Sequence, residues 1–250
     1  MEKVDSEIME LLTDKGAFPA SIVPAAASYL ADLVLAEKPV LAVEVGCCHG
    51  FSTLHIGKAL RELGGTGKLV SFDISPQEAE VRIRRAGLEN FVAFVAGNSS
   101  REGARFFADK GQVIDFLFID GDHTRRGCMR DAEAFLPHLK TGGIMILHDI
   151  YPERCGWLGP RYLINALQKI SDTTFHPCFS IEEKVDFDPF GIAICRKQSE
   201  FPMHFLKSLG FMQRSYLSQF IEIANFEGKR SLWEVIAWGF SKWRRIANHW

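Results

Sequence analysis

What this chain of 250 residues lacks narrows its possibilities first. It has no excess of either charge. With 29 basic and 31 acidic residues its formal net charge is −2, so nucleic acid is not an expected partner and any basic surface would be local. No run of about 18 apolar residues is present to span a bilayer. The start, MEKVDSEIMELLTDKG, is acidic and amphipathic, without a basic leader or an unbroken apolar stretch, so no signal peptide is expected. The six cysteines (Cys47, Cys48, Cys128, Cys155, Cys178, Cys195) contain no C-x-x-C pair and no zinc-type spacing. Free thiols and a cytoplasmic location follow as expectations. Repeats and low-complexity segments are absent too. The 47% of hydrophobic residues can bury a full core.

One further absence is local. Residues 40–53 read VLAVEVGCCHGFST: an apolar run ending in Glu44, a break at Gly46 and Gly50, then a helix-like segment. Such a strand–turn–helix junction offers unpaired backbone N–H groups to a nucleotide-like or carboxylate-bearing ligand. A dinucleotide fingerprint needs glycine where this chain has Gly46, Cys48 and Phe51. Phe51 cannot allow the close helix–strand packing of the third glycine, so nicotinamide and flavin cofactors are disfavoured.

Apolar runs of strand length at 39–45, 68–73, 90–96, 114–119 and 142–148 alternate with amphipathic segments at 51–63, 76–86, 100–110 and 125–138. The runs VIDFLFI and GIMILH suit strands buried on both faces, as in a parallel sheet. TFHPCFSI and FGIAICR supply two more strands and an antiparallel edge, with EEKVDFDP between them as an exposed loop. The expected fold is α/β: a doubly wound, Rossmann-like, mostly parallel seven-stranded sheet with N- and C-terminal helical extensions. The divisions are 1–37 as a helical cap of two helices, 38–197 as the ligand-binding domain, and 198–250 as a helical extension. In that extension Trp233, Ile236, Phe240, Trp243, Ala247 and Trp250 recur at helical spacing beside Lys242, Arg244 and Arg245. The helix packs on its own domain or a second copy in a homo-oligomer; the sharper alternative is peripheral contact with a membrane surface.

Ligands of such sheets bind at the carboxyl ends of the strands. Asp73 ends the second strand, placed to accept from ribose hydroxyls. Asn98 and Ser99 follow the third, facing a base edge or, for Ser99, capping a helix. Asp120, Asp122 and His123 follow the fourth, and His148 and Asp149 the fifth. Asp120, His148 and Asp149 are candidate ligands for a divalent ion such as Mg²⁺ or Mn²⁺, or else members of a metal-free Asp–His network. His123 is a candidate general base, or an orienting group for Asp120. Tyr151, Trp157 and Arg161 read as rim residues, with 181–190 as an opposite wall.

In order and spacing EVGCCHGFST, SFDISP, VAGNSS, FIDGDHTRRG and LKTGGIMILHDI resemble the class I S-adenosylmethionine-dependent methyltransferases. The nearest likeness is to the methyltransferase 24-like branch with DGDH and HD motifs, which includes natural-product and sugar O-methyltransferases. The resemblance covers residues 38–196. It implies that the turn Glu44, Gly46, Cys47, Cys48, Gly50 holds the methionine part of the cofactor, with Ser52 near its carboxylate. It places Asp73 on the ribose and Asn98 and Ser99 beside the adenine. It sets Asp120 at the sulfonium end, with His148 and Asp149 completing a metal site. In two places the chain departs from the common pattern: Cys48 replaces the middle glycine of E-x-G-x-G-x-G, and His148 stands where some relatives carry an acidic residue. The implied activity is metal-assisted O-methylation of a small-molecule or sugar hydroxyl. The alternatives are a metal-independent methyltransferase on another nucleophile, or a non-catalytic binding or scaffold protein that keeps the fold.

Overall fold

The computed structural model describes residue 18 and residues 21–111, 113–173 and 178–200. The first expected cap helix and the 201–250 part of the C-terminal extension lie outside these residues. The described cap is α1 (Pro24–Glu37), which begins with proline at its first turn and stops where Lys38 turns left-handed and returns its N–H to Val34. Its Ala26, Ala27, Leu30 and Val34 are buried, the spacing of one apolar stripe.

Strands and helices then alternate: β1 (Leu41–Val45), α2 (Phe51–Glu62), β2 (Lys68–Asp73), α3 (Gln77–Arg85), β3 (Val92–Ala96), α4 (Ser99–Phe106), β4 (Ile114–Ile119) and α5 (Arg125–Phe135). After a short 3-10 turn come β5 (Leu139–His148), α6 (Pro152–Cys155), α7 (Gly159–Thr173), β6 (Phe179–Lys184) and β7 (Ile192–Lys197). The sheet order is β3-β2-β1-β4-β5-β7-β6. Strands β1 to β5 pair in parallel, while β7 runs antiparallel to both β5 and β6.

Period-two alternation sends side chains to two cores. Val43, Val45, Leu117 and Ile119 meet Phe107, Phe135 and Leu163 on one face. Ala42, Phe116 and Phe118 meet Leu30, Leu54 and Ile83 on the other. This three-layer sandwich is the doubly wound fold the alternation predicts. The expected exposed loop EEKVDFDP is corrected: Glu182, Glu183 and Lys184 pair with β7, and Asp188 is buried. Among the described residues no helix is long and apolar enough to cross a membrane. Among the described residues none of the six cysteines forms a disulfide.

Candidate active site

The turn after β1 is built on a buried carboxylate. Glu44 lies on the Ala42 face of β1 and is fully buried. Ser52 Oγ donates to its Oε1 at 2.5 Å, and Thr53 Oγ1 and Ser71 Oγ donate to its Oε2, both at 2.6 Å. Burial, partly offset by these hydroxyls, pushes its carboxyl up to about 7. Glu44 therefore braces the turn from beneath, and Ser52 is committed to that brace.

Gly46 adopts φ +88°, and a β-carbon there would run into the carbonyl oxygen of Asp120. Glycine is needed for the conformation and for the close approach of β4. Cys48 also has positive φ, +48°, and is exposed, so it occupies a left-handed position without being glycine. Gly50 leads into α2. Asp73 Oδ2 accepts the backbone N–H groups of Cys47 (2.9 Å) and Cys48 (3.0 Å), while Oδ1 accepts Ser75 N–H at 2.8 Å. The end of β2 thus clamps the turn. A carboxylate accepts about four hydrogen bonds, so one acceptor place on Oδ1 is left over.

Asn98, not Ser99, caps α4, its Oδ1 accepting Arg101 N–H at 3.1 Å. Ser99 Oγ instead donates to Asp131 Oδ1 at 2.6 Å. Burial raises the Asp131 carboxyl to about 7, and its Oδ2 accepts no hydrogen bond among the described residues.

The ends of β4 and β5 bring four titratable groups together. Asp120 Oδ1 lies 2.9 Å from His148 Nδ1 and 3.1 Å from His123 Nε2. Asp149 Oδ2 is 3.6 Å from His123 Nε2, and its Oδ1 is 3.3 Å from His148 Nδ1. Asp122, expected beside them, is exposed and accepts Thr124 N–H at 3.0 Å. Burial opposes charge on Asp120, but His148 and His123 outweigh it and hold its carboxyl below the usual range. Both imidazoles are in turn raised against their burial, chiefly by Asp120. Burial raises the Asp149 carboxyl. His123 Nε2 is turned to Asp120.

Asp188, which the sequence reading left in an exposed loop, joins this group. Its Oδ2 lies 3.0 Å from His148 Nε2, while Oδ1 accepts Phe190 and Gly191 N–H at 2.8 and 3.0 Å. An aspartate preceding P-F-G is a local turn signal of the kind that could have marked it. Of the three rim candidates, Trp157 stacks on the His123 ring, with centroids 5.8 Å apart. Arg161 makes a two-pronged pair with Glu183 (2.6 and 3.0 Å) and donates to Ile150 O, while Tyr151 OH donates to Glu183. These two tie the β5–α6 loop to β6.

Asp120, His123 and His148 each offer a donor atom within 4.8 Å of the others, a span that fits one metal ion. Asp149 Oδ1 stands beside them, buried and without a hydrogen bond among the described residues.

Residues 43–150 match the family profile of a methyltransferase domain. Solved structures of the same fold include an O-methyltransferase from Bacillus cereus in complex with S-adenosylhomocysteine. It is 18% identical with a TM-score of 0.62, covering 79% of this chain and 91% of that one. A Podospora anserina methyltransferase bound to S-adenosylhomocysteine is 16% identical, with a TM-score of 0.60 and 80% and 89% coverage. The Streptomyces achromogenes O-methyltransferase involved in tomaymycin synthesis, in complex with S-adenosylmethionine, is 13% identical with a TM-score of 0.59, covering 79% and 89%.

Proposed function

We propose that this chain is a class I S-adenosylmethionine-dependent methyltransferase, its residues 43–150 matching a methyltransferase domain, and that it moves the methyl group to a hydroxyl oxygen of a small molecule or sugar. One observation carries the reading. The clamped turn and the Asp–His cluster share a wall, because Asp120 N–H donates to Val45 O at 2.8 Å and Gly46 packs on the Asp120 carbonyl. Donor grip and reacting group are thus neighbours.

In this reading the turn from Gly46 through Cys47 and Cys48 to Gly50 lies along the methionine part of the cofactor, with Glu44 and Ser52 bracing it. Asp73 uses its remaining acceptor place on the ribose, and Asn98 and Ser99 border the adenine. Transfer forms the oxygen–carbon bond as the sulfur–carbon bond breaks, its electron pair returning to sulfur. The acceptor hydroxyl gives up a proton. The chain's main task is alignment. Asp120, His148 and Asp149 would hold a divalent ion, which supplies Lewis acidity that lowers the hydroxyl pKa when bound. His123 lies within reach of two roles, proton acceptor or further ligand.

The metal-independent reading has its own support: Asp120 Oδ1 is held by two imidazoles. Cytoplasmic location and a homo-oligomer, such as a dimer, belong to the proposal as well; the latter is checked by light scattering on the full chain. The function is tested by S-adenosylhomocysteine release with a panel of hydroxyl, amine and thiol acceptors. Turnover confined to hydroxyl acceptors is expected; turnover on amines or thiols alone contradicts it.

A further inference from the structure

We propose that Asp120, His123, His148 and Asp149 form a site for a borderline transition ion, of the zinc, cobalt or ferrous class, and that Asp188 orients His148 toward it. The inference rests on the metal-assisted reading above and makes magnesium the wrong ion for these donors. Magnesium prefers carboxylate and water oxygens, whereas imidazole nitrogen suits zinc, iron and nickel. Here two imidazoles and one carboxylate converge: the donor atoms of Asp120, His123 and His148 lie within 4.8 Å of one another. Asp149 Oδ1 is 3.3 Å from the same His148 Nδ1.

Two observations separate a ligand site from a closed network. Hydrogen bonding among the four groups engages Asp120 Oδ1 but gives buried Asp149 Oδ1 no hydrogen bond among the described residues, only the 3.3 Å approach of His148 Nδ1. A buried acceptor without a hydrogen bond is costly, and a cation is a partner it can take. Asp149 is also held at φ +57°, a strained setting for a non-glycine residue, which fixes it beside His148. The second observation is Asp188. Its Oδ1 is pinned by the backbone N–H groups of Phe190 and Gly191, so Oδ2 is aimed at His148 Nε2 from 3.0 Å. A carboxylate on the far nitrogen keeps a proton at Nε2, so that an ion would displace only the Nδ1 proton now shared with Asp120. That is the outer partner that metal-bound histidines ordinarily have.

The test uses the full chain, stripped of metal by chelation and titrated with Co²⁺ alone. Binding is followed by visible ligand-field absorption and by nitrogen NMR of the histidine side chains. Expected are stoichiometric Co²⁺ binding, perturbed His123 and His148 nitrogens, and no displacement by millimolar Mg²⁺. Asp188→Asn should weaken Co²⁺ by about 10–100-fold while leaving S-adenosylmethionine affinity unchanged. His148→Asp should move the preference toward Mg²⁺. Displacement by equimolar Mg²⁺ overturns the proposal. So does a cobalt spectrum unchanged in folded His123→Gln and His148→Asn variants. S-adenosylmethionine binding without a cobalt site sinks this inference alone; a cobalt site without S-adenosylmethionine binding sinks the methyl-transfer reading instead.

Discussion

Cys48 and Glu44 hold the two ends of the strain in the turn. Cys48 sits at φ +48°, where an L side chain costs about 1–2 kcal/mol and glycine almost nothing. Glycine gives back part of that through the freer unfolded chain. Cys48→Gly is therefore expected to raise stability by about 0.5 kcal/mol in urea unfolding and to keep cofactor binding; a loss of stability would mean the thiol makes a contact of its own. Glu44 is ionised only at a cost, since its carboxyl rises from 4.5 to about 7 on folding. Between those values the folded protein holds more protons than the unfolded chain, so stability falls as pH rises through the window. For a fully buried group the whole effect is at most about 3 kcal/mol. Glu44→Gln should flatten this slope, because an amide does not titrate. It should cost some stability below pH 5, where Thr53 and Ser71 lose a shared acceptor. An unchanged slope would place the titration elsewhere.

At the scale of elements, the β5–α6 loop is held by a bracket rather than by core. Arg161 from α7 and Tyr151 after β5 converge on Glu183 of β6. Arg161→Ala is expected to cost about 1–2 kcal/mol, measured by urea unfolding, with the loss shared by Glu183→Gln because the two act as a pair. Additive losses would show that they act separately. The same region marks where local pattern stops predicting structure. Strands β1, β2 and β4 are legible because burial on both faces demands continuous apolar runs. β6 is an edge strand whose Glu182-Glu183-Lys184 is polar, so it reads as loop until β7 supplies its hydrogen bonds. β5 begins at Leu139, three residues before its apolar run, for the same reason. Asp73, Asp120, His148 and Asp149 were legible as strand-end residues. Asp188 was not, because its partner His148 is 40 residues away and only sheet pairing unites them. Asn98 displaced Ser99 as the cap because either side chain satisfies the helix terminus and the local sequence does not rank them.

For the whole molecule, buried acids set the pH response. Asp131 rises from 3.8 to about 7 by burial, in the same direction as Glu44. His123 and His148 are raised against burial by Asp120, so their contribution is fully present below the unfolded value of 6.5 and is lost as pH rises through their folded values. These four signs agree; His55, which burial lowers to about 4, pulls the other way, but only below its unfolded value of 6.5. Thermal unfolding of the full chain should show a falling midpoint as pH rises from 5 to 8, and a midpoint rising across that range would contradict the burial of these groups. The architecture explains why such costs persist. Each of these groups sits at a strand end or against the helix beside one, where the sheet stops and a ligand would be held in the proposed reading.

The central claim is that the Asp73-clamped turn grips S-adenosylmethionine, and calorimetric titration of the cofactor into the full chain addresses it most directly. The account predicts saturable binding that Asp73→Ala lowers by at least about 10-fold, equivalent to about 1.4 kcal/mol, while Cys48→Gly retains it. Absence of binding at millimolar cofactor, or equal affinity in the Asp73→Ala variant, would contradict it.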